Sequence, residues 1–278
     1  MSNKTKQLAP PNHVVEIPNP DKKKHEKWTY GRDLWNFPRP YRWGLCGSPN
    51  SGKTSLVLNA LLHTQPHWDR IFIIHPTSYN PAVSDSDQDK NLNVICETLP
   101  AVAGRRPECD VPEYKGVEAF YLQYIPTEQF WVGLKGFTLC IIDDIDITSY
   151  TKRVASKQRR INKLFSYVST HNNVSIIVTS QSPSTQLPAI VLQMCNITTI
   201  FPQHDLYKLR TLSQKLSMDS HELIYYMSQL KSPHDTITFD NTLKSPMPIR
   251  KNITEELEPY TGERVKRKYV KKIISPTS

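Results

Sequence analysis

Gly47-Ser48-Pro49-Asn50-Ser51-Gly52-Lys53-Thr54 fits G-x-x-x-x-G-K-[ST] at every fixed position. In a chain with only 9 glycines against 22 prolines, two glycines five residues apart need a reason. The short apolar run ahead of them (Trp43, Leu45, Cys46) reads as a strand over 42–47. Behind them, Leu56, Val57, Ala60 and Leu61 make a helical stripe, which predicts a helix from about Lys53 to His63. A loop passing from strand to helix turns successive backbone N–H groups into one concavity, and the helix N-terminus adds partial positive charge. Gly47 and Gly52 permit close phosphate approach, Lys53 brings a mobile charge, and the Thr54 hydroxyl suits Mg²⁺. Residues Gly47, Ser48, Pro49, Asn50, Ser51, Gly52, Lys53, Thr54 and Ser55 are thus the expected nucleotide-binding set.

Further along, the runs at 70–75, 137–142, 174–178 and 196–201 read as buried strands without polar alternation. Helices are expected at 154–169, near 204–216 and near 219–230, and a hairpin at 236–239 turning at Asp240-Asn241. Weaker strands are read at 93–96 and 118–125, with a short helix starting at Pro126-Thr127-Glu128. The pattern predicts an α/β fold with a mostly parallel central sheet flanked by helices. Residues 77–116 give little signal.

The strand Leu139-Cys140-Ile141-Ile142 ends in Asp143-Asp144. One acid is expected to hold Mg²⁺ (Asp143) and the other to act as general base toward water (Asp144). Another strand, Ser175-Ile176-Ile177-Val178, runs into Thr179-Ser180-Gln181, where Gln181 is placed to sense the nucleotide's phosphate state. No N-K-x-D or D-x-x-G completes a guanine-specific set, since Asn162-Lys163-Leu164 is followed by Phe165.

The chain has 278 residues and a formal net charge of +9, which favours a polyanionic partner. Its longest apolar runs fall far short of the ~20 residues of a membrane span, so no membrane insertion is expected. The N-terminus lacks the apolar core of a secretory signal. Five cysteines (46, 96, 109, 140, 195) without a C-x-x-C argue against a disulfide framework or zinc site and for a reduced, intracellular setting, with Cys46 and Cys140 read as core. Lys152, Arg153, Lys157, Arg159, Arg160 and Lys163 fall in an acid-free stretch whose other helical face is Ile161, Leu164, Phe165 and Val168. That basic face reads as a sequence-independent DNA contact or a source of an arginine finger. The aromatic group over 28–43 reads as packing that docks the arm on the sheet, with adenine stacking as the alternative. A flexible arm (1–27), an ATPase domain (28–255) and a C-terminal tail (256–278), basic over 264–272, complete the expected organisation.

These motifs together resemble the FtsK/HerA superfamily, specifically the poxvirus-like DNA-packaging ATPases of large DNA viruses, virophages and Polinton-type elements. The resemblance runs from about Tyr41 to Arg250 and rests on the phosphate loop, on Ile141-Ile142-Asp143-Asp144, on 171–181 and on the 234–240 segment. It implies an additional-strand P-loop NTPase that hydrolyses ATP with Mg²⁺ and acts as a homo-oligomeric ring. Double-stranded DNA and a capsid protein are the partners it implies, in host cytoplasm or nucleus or with the virion. Lys53, Asp144 and Gln181 would be catalytic, and Thr54 and Asp143 would hold the metal. Family members commonly carry an Arg before the His of the third motif, where this chain has Thr170, and another before the later Asn196, where it has none. Candidates for the trans-acting or DNA-contacting residues are therefore spread over Arg153, Lys157, Arg159, Arg160 and Arg210. The alternatives are an AAA+ or superfamily 3-like replicative helicase or loader, with Thr179 or Ser180 as sensor, and a nucleotide-dependent DNA-binding switch.

Overall fold

The computed structural model describes residues 35, 37–63, 68–75, 95–98, 118–122, 124–134, 136–147, 160–242 and 245–262. The N-terminal arm, Trp28 and Tyr30, the basic stretch 264–272, and Arg153, Lys157 and Arg159 lie outside the described residues. The strands are β1 (Arg42–Cys46), β2 (Arg70–Ile74), β3 (Ile95–Thr98), β4 (Glu118–Tyr121), β5 (Thr138–Ile142), β6 (Val174–Ser180), β7 (Ile197–Ile200), β8 (Ile237–Asp240), β9 (Ile249–Lys251) and β10 (Glu255–Glu256). The helices are α1 (Lys53–His63), α2 (Glu128–Trp131), α3 (160–171), α4 (Pro183–Gln186), α5 (Ala189–Met194), α6 (Leu206–Lys215) and α7 (Ser220–Ser228). The middle of α3, Leu164–Val168, is π-wound.

All the strands join one sheet in the order β10-β9-β8-β7-β1-β6-β5-β2-β4-β3. From β7 through β4 every neighbour is parallel, and only β3, β8, β9 and β10 run against theirs. The strands are buried on both faces, which is why they read as unbroken apolar runs. Side chains still alternate between two cores. Leu139, Ile141 and Ile177 pack with α1 residues Val57, Ala60 and Leu61, while Cys140, Ile142, Ile176 and Val178 pack with Ile161, Leu164 and Phe165 of α3. α6 and α7 begin where the Asp205 and Asp219 carboxylates accept from the first free N–H groups.

Several expectations shift. The strand read over 118–125 ends at Tyr121, because after Leu122 the chain turns to bury Tyr124 and Ile125. The helix read over 154–169 continues to His171, and its 154–159 part lies outside the described residues. No tight turn forms at Asp240-Asn241. The connection folds around the Asp240 carboxylate, which accepts from Thr242 N (3.0 Å), Ser245 Oγ (2.7 Å) and Arg250 Nη2 (2.8 Å), and β9 starts only at Ile249. Past Glu256, Leu257 and Tyr260 still pack on the core. The aromatic expectation resolves in favour of packing: Phe37, Tyr41 and Trp43 are buried against one another in edge-to-face contacts and do not line the nucleotide cavity described below.

Cys46, Cys140 and Cys195 are free and buried, as expected of the first two. Burial pushes the Cys46 thiol up to about 12 and raises those of Cys140 and Cys195 as well. An unfolded thiol ionises near the ordinary 9.0 while the folded one holds its proton, so this contribution is intact below that value and is lost as pH rises toward 12. The urea midpoint should therefore drop once pH passes about 9, and in native protein a thiol reagent should leave these three cysteines unlabelled in peptide mapping.

Candidate active site

In a parallel sheet the carboxyl ends of all strands reach the same edge, and five ends meet here: those of β1, β2, β5, β6 and β7. β1 delivers the phosphate loop, β2 His75, β5 the Asp143-Asp144 pair, β6 Gln181 and β7 Phe201. The loop is tied down on both sides: Gly47 N donates to Ser180 O (3.1 Å), and Phe201 N donates to Cys46 O (2.8 Å). A Cβ on Gly47 would lie 2.6 Å from Ser51 Oγ and 2.8 Å from the Phe201 ring, so no side chain fits there. Asn50 (φ 60°) and Gly52 (φ 105°) take the left-handed turns that bend the loop round to α1.

A single cavity of about 870 Å³ lies over this edge, large enough for a nucleotide. Pro49 to Leu56, His75, Asp143, Asp144 and Gln181 line it. The Lys53 ammonium donates to Gly47 O and Ser48 O, 2.9 Å from each, so the loop's own carbonyls hold it in place. Burial lowers its pKa, and the Asp144 and Asp143 carboxylates oppose that shift.

The two acids are oriented by Thr179, the residue directly after the β6 apolar run. Thr179 Oγ1 donates to Asp143 Oδ1 (2.6 Å) and accepts from Asp144 N (3.0 Å). Simple strand alternation would send neighbouring acids to opposite faces. Asp144 escapes it with φ 56°, a left-handed turn that Asp tolerates, and both carboxylates reach the cavity. Gln181 then holds Asp144 twice: its N–H donates to Oδ1 (3.1 Å) and its side-chain amide to Oδ2. Burial raises the Asp144 pKa, with the Gln181 N–H and Lys53 acting against it. Gln181 is therefore bonded to Asp144 itself, a contact that the phosphate-sensing role expected of it did not include.

Thr54 is exposed at the cavity wall, and the Asp143 carboxylate lines the same cavity. These hard oxygen donors fit Mg²⁺, which binds through few protein oxygens plus substrate phosphates. Among the described residues no cluster of three or more His, Cys, Asp or Glu offers a different metal site.

Of the trans-acting candidates, Arg160 is half-buried on α3 and Arg210 is exposed on α6; neither lines the cavity. Lys163, read as part of an acid-free face, is ion-paired with Glu128 of α2. Sequence reading missed His75, whose Nε2 lies 3.7 Å from Asp143 Oδ2, as well as Phe201, Asn252 and Ile253, and it took in Thr236 only as part of the 234–240 segment. His234 was quoted only within a motif, yet its Nδ1 sits 3.0 Å from Ser51 O.

β6 lies between the phosphate-loop strand β1 and the acidic strand β5. That interposed strand, with the loop and acids it serves, defines an α/β P-loop NTPase of the additional-strand type. No family model and no curated protein matches the chain. Among solved structures, it is similar to the DNA-packaging ATPase of Sulfolobus turreted icosahedral virus, with 18% identity and a TM-score of 0.48 over 79% of this chain and 99% of that one. The genome packaging NTPase of Sulfolobus turreted icosahedral virus 2 in complex with ATP-gammaS gives 17% identity and a TM-score of 0.44 over 76% and 95%. The pCW3 conjugation coupling protein TcpA gives 8% and 0.46 over 79% and 61%. Among the described residues no helix is long and apolar enough to cross a membrane.

Proposed function

We propose that this chain hydrolyses ATP to drive double-stranded DNA into a viral or virus-like capsid, as a homo-oligomeric ring inside the host cell. The observation that carries the hydrolytic reading is the shared cavity, in which the phosphate loop, Asp143, Asp144 and Gln181 face one space. In that reaction the Asp144 carboxylate takes a proton from water as the water oxygen bonds to the γ-phosphorus. The bond from that phosphorus to the β–γ bridging oxygen breaks, releasing ADP and phosphate. Lys53 balances charge on the transferred group, and Gln181 fixes the carboxylate that receives the proton. Mg²⁺, held by Thr54 and Asp143 with the phosphates, would supply charge neutralisation.

Support for DNA as the partner comes from the net charge of +9, the acid-free basic stretch at 152–163 and the motif resemblance. The deciding experiment is the ATPase rate with and without duplex DNA over a salt series, on wild type and Asp144→Asn. Duplex DNA should accelerate turnover several-fold at low salt, the gain should fade as salt rises, and Asp144→Asn should show none. Turnover indifferent to DNA at every salt concentration would refute the translocase reading while leaving the ATPase intact.

A further inference from the structure

The wall of the cavity away from the two acids is built by a part of the chain some 180 to 200 residues beyond the phosphate loop, and it has a different chemistry. His234 and Thr236 come from the entry to β8, and Asn252 and Ile253 from the turn joining β9 to β10. Leu56 and Asn59 of α1 also line the cavity, and among the described residues its only carboxylates are those of Asp143 and Asp144. Asn252 and Ile253 both take positive φ, 50° and 71°. For a β-branched residue that is a genuine outlier, and such strain persists where surrounding structure fixes it and function uses it.

The surroundings do fix it. Asn252 N donates to Thr236 O (2.9 Å), Asn252 Oδ1 accepts from Thr236 N (2.9 Å), and Asn252 Nδ2 reaches Asp235 Oδ1 at 3.3 Å. Asp235 in turn accepts from Lys231 N and Ser232 N, 2.8 and 3.0 Å away. The His234 ring bonds the Ser51 carbonyl, so the wired hairpin is fastened to the phosphate loop itself. Ile253 is buried with Phe201 in the same apolar cluster, and both still contribute surface to the cavity.

Resting on the triphosphate reading of the loop, we infer that this hairpin is the nucleobase wall of the site and that Ile253 is the apolar surface against which the base packs. A base is flat, weakly polar on its faces and attached at the end of the nucleotide opposite the γ-phosphate. A wall in which Ile253 is the apolar surface among Thr236 and Asn252, on the far side of the phosphate-loop strand from the acids, suits it. A glycine would take φ 71° freely; the strained Ile there is explained by the contact its side chain makes.

The test compares ATP with tripolyphosphate, which has the phosphates and no base, in wild type and Ile253→Gly. The glycine variant removes the side chain and relieves the backbone. It should weaken ATP at least about tenfold and leave tripolyphosphate inhibition within about twofold. Equal weakening of both ligands would mean the hairpin only shapes the loop, and no weakening of either would mean it does not touch the base; each overturns the inference. A measurement on wild type stands apart from any folding defect: photolabelling with 8-azido-ATP should mark peptides spanning 234–236 or 252–253, and labelling elsewhere overturns the assignment. Wild type that binds neither ATP nor tripolyphosphate would instead bring down the triphosphate reading on which this one rests.

Discussion

Asp144→Asn is expected to lower ATP turnover by about 10²–10⁴-fold with ATP affinity essentially unchanged. The substitution is nearly isosteric. Its side-chain oxygen can still accept from the Gln181 N–H, now 3.1 Å from Asp144 Oδ1, and the backbone bond from Asp144 N to Thr179 Oγ1 (3.0 Å) is untouched. What the amide cannot do is take a proton from water. The effect should therefore sit in kcat, and the magnitude is that of a lost general base. Lys53→Ala should behave differently, losing affinity and turnover together, because the ammonium that Gly47 O and Ser48 O hold in place serves both ground state and transition state. Single-turnover chemistry and equilibrium ATP binding, measured on both variants, separate the two outcomes. Full turnover by Asp144→Asn would move the base elsewhere, with His75 the next titratable group along the wall.

The parts of the site legible in the sequence are those whose chemistry is written in consecutive residues. The loop 47–54 needs its glycines and lysine at fixed spacing, and an apolar strand ending in Asp143-Asp144 announces itself locally. Their convergence also follows from sequence, because unbroken apolar strands imply a parallel sheet and a parallel sheet brings its strand ends to one edge. The base-side wall was not legible, for a physical reason. It exists only because β8 pairs antiparallel with β7 and β9 with β8, which carries 234–236 and 252–253 back over α1. Asn252 is of a type that tolerates positive φ, but nothing in Ile253 announces it; a sequence reader expects glycine there. The short helices α4 and α5 escaped for want of length, since one turn shows no period. The Lys163–Glu128 ion pair escaped because an acid-free stretch says nothing of acids on a neighbouring helix.

Arg250→Ala should be the most destabilising single change, costing about 3–5 kcal/mol, because it leaves the Asp240 carboxylate buried without its counter-charge. Both side chains of the pair are fully shielded from solvent, with Arg250 Nη2 and Asp240 Oδ2 2.8 Å apart. The guanidinium is also held from other directions: Nε donates to Met247 O (2.7 Å), Nη1 to Trp35 O (2.5 Å), and its carbon lies 5.4 Å from the centre of the Phe37 ring. One residue thus fastens β9 to β8, to the loop between them and to the segment entering the domain. Truncation leaves the fully shielded Asp240 carboxylate without its charge partner and takes the donor from the Met247 and Trp35 carbonyls, and desolvation makes the first of these expensive. The double change Arg250→Met with Asp240→Leu removes both charges and should recover the part of the loss that comes from the unpaired carboxylate, which a merely steric defect would not allow, while the Met247 and Trp35 carbonyls and the Thr242 and Ser245 donors stay without their partners. Urea unfolding of the three proteins reads this directly as a fall in midpoint at constant slope for Arg250→Ala and its partial return in the double variant. The same measurement bears on the nucleotide site. Arg250 lies two residues before Asn252 and fixes the strand from which the base wall projects. In urea too low to unfold Arg250→Ala, ATP affinity should already be falling while tripolyphosphate still binds.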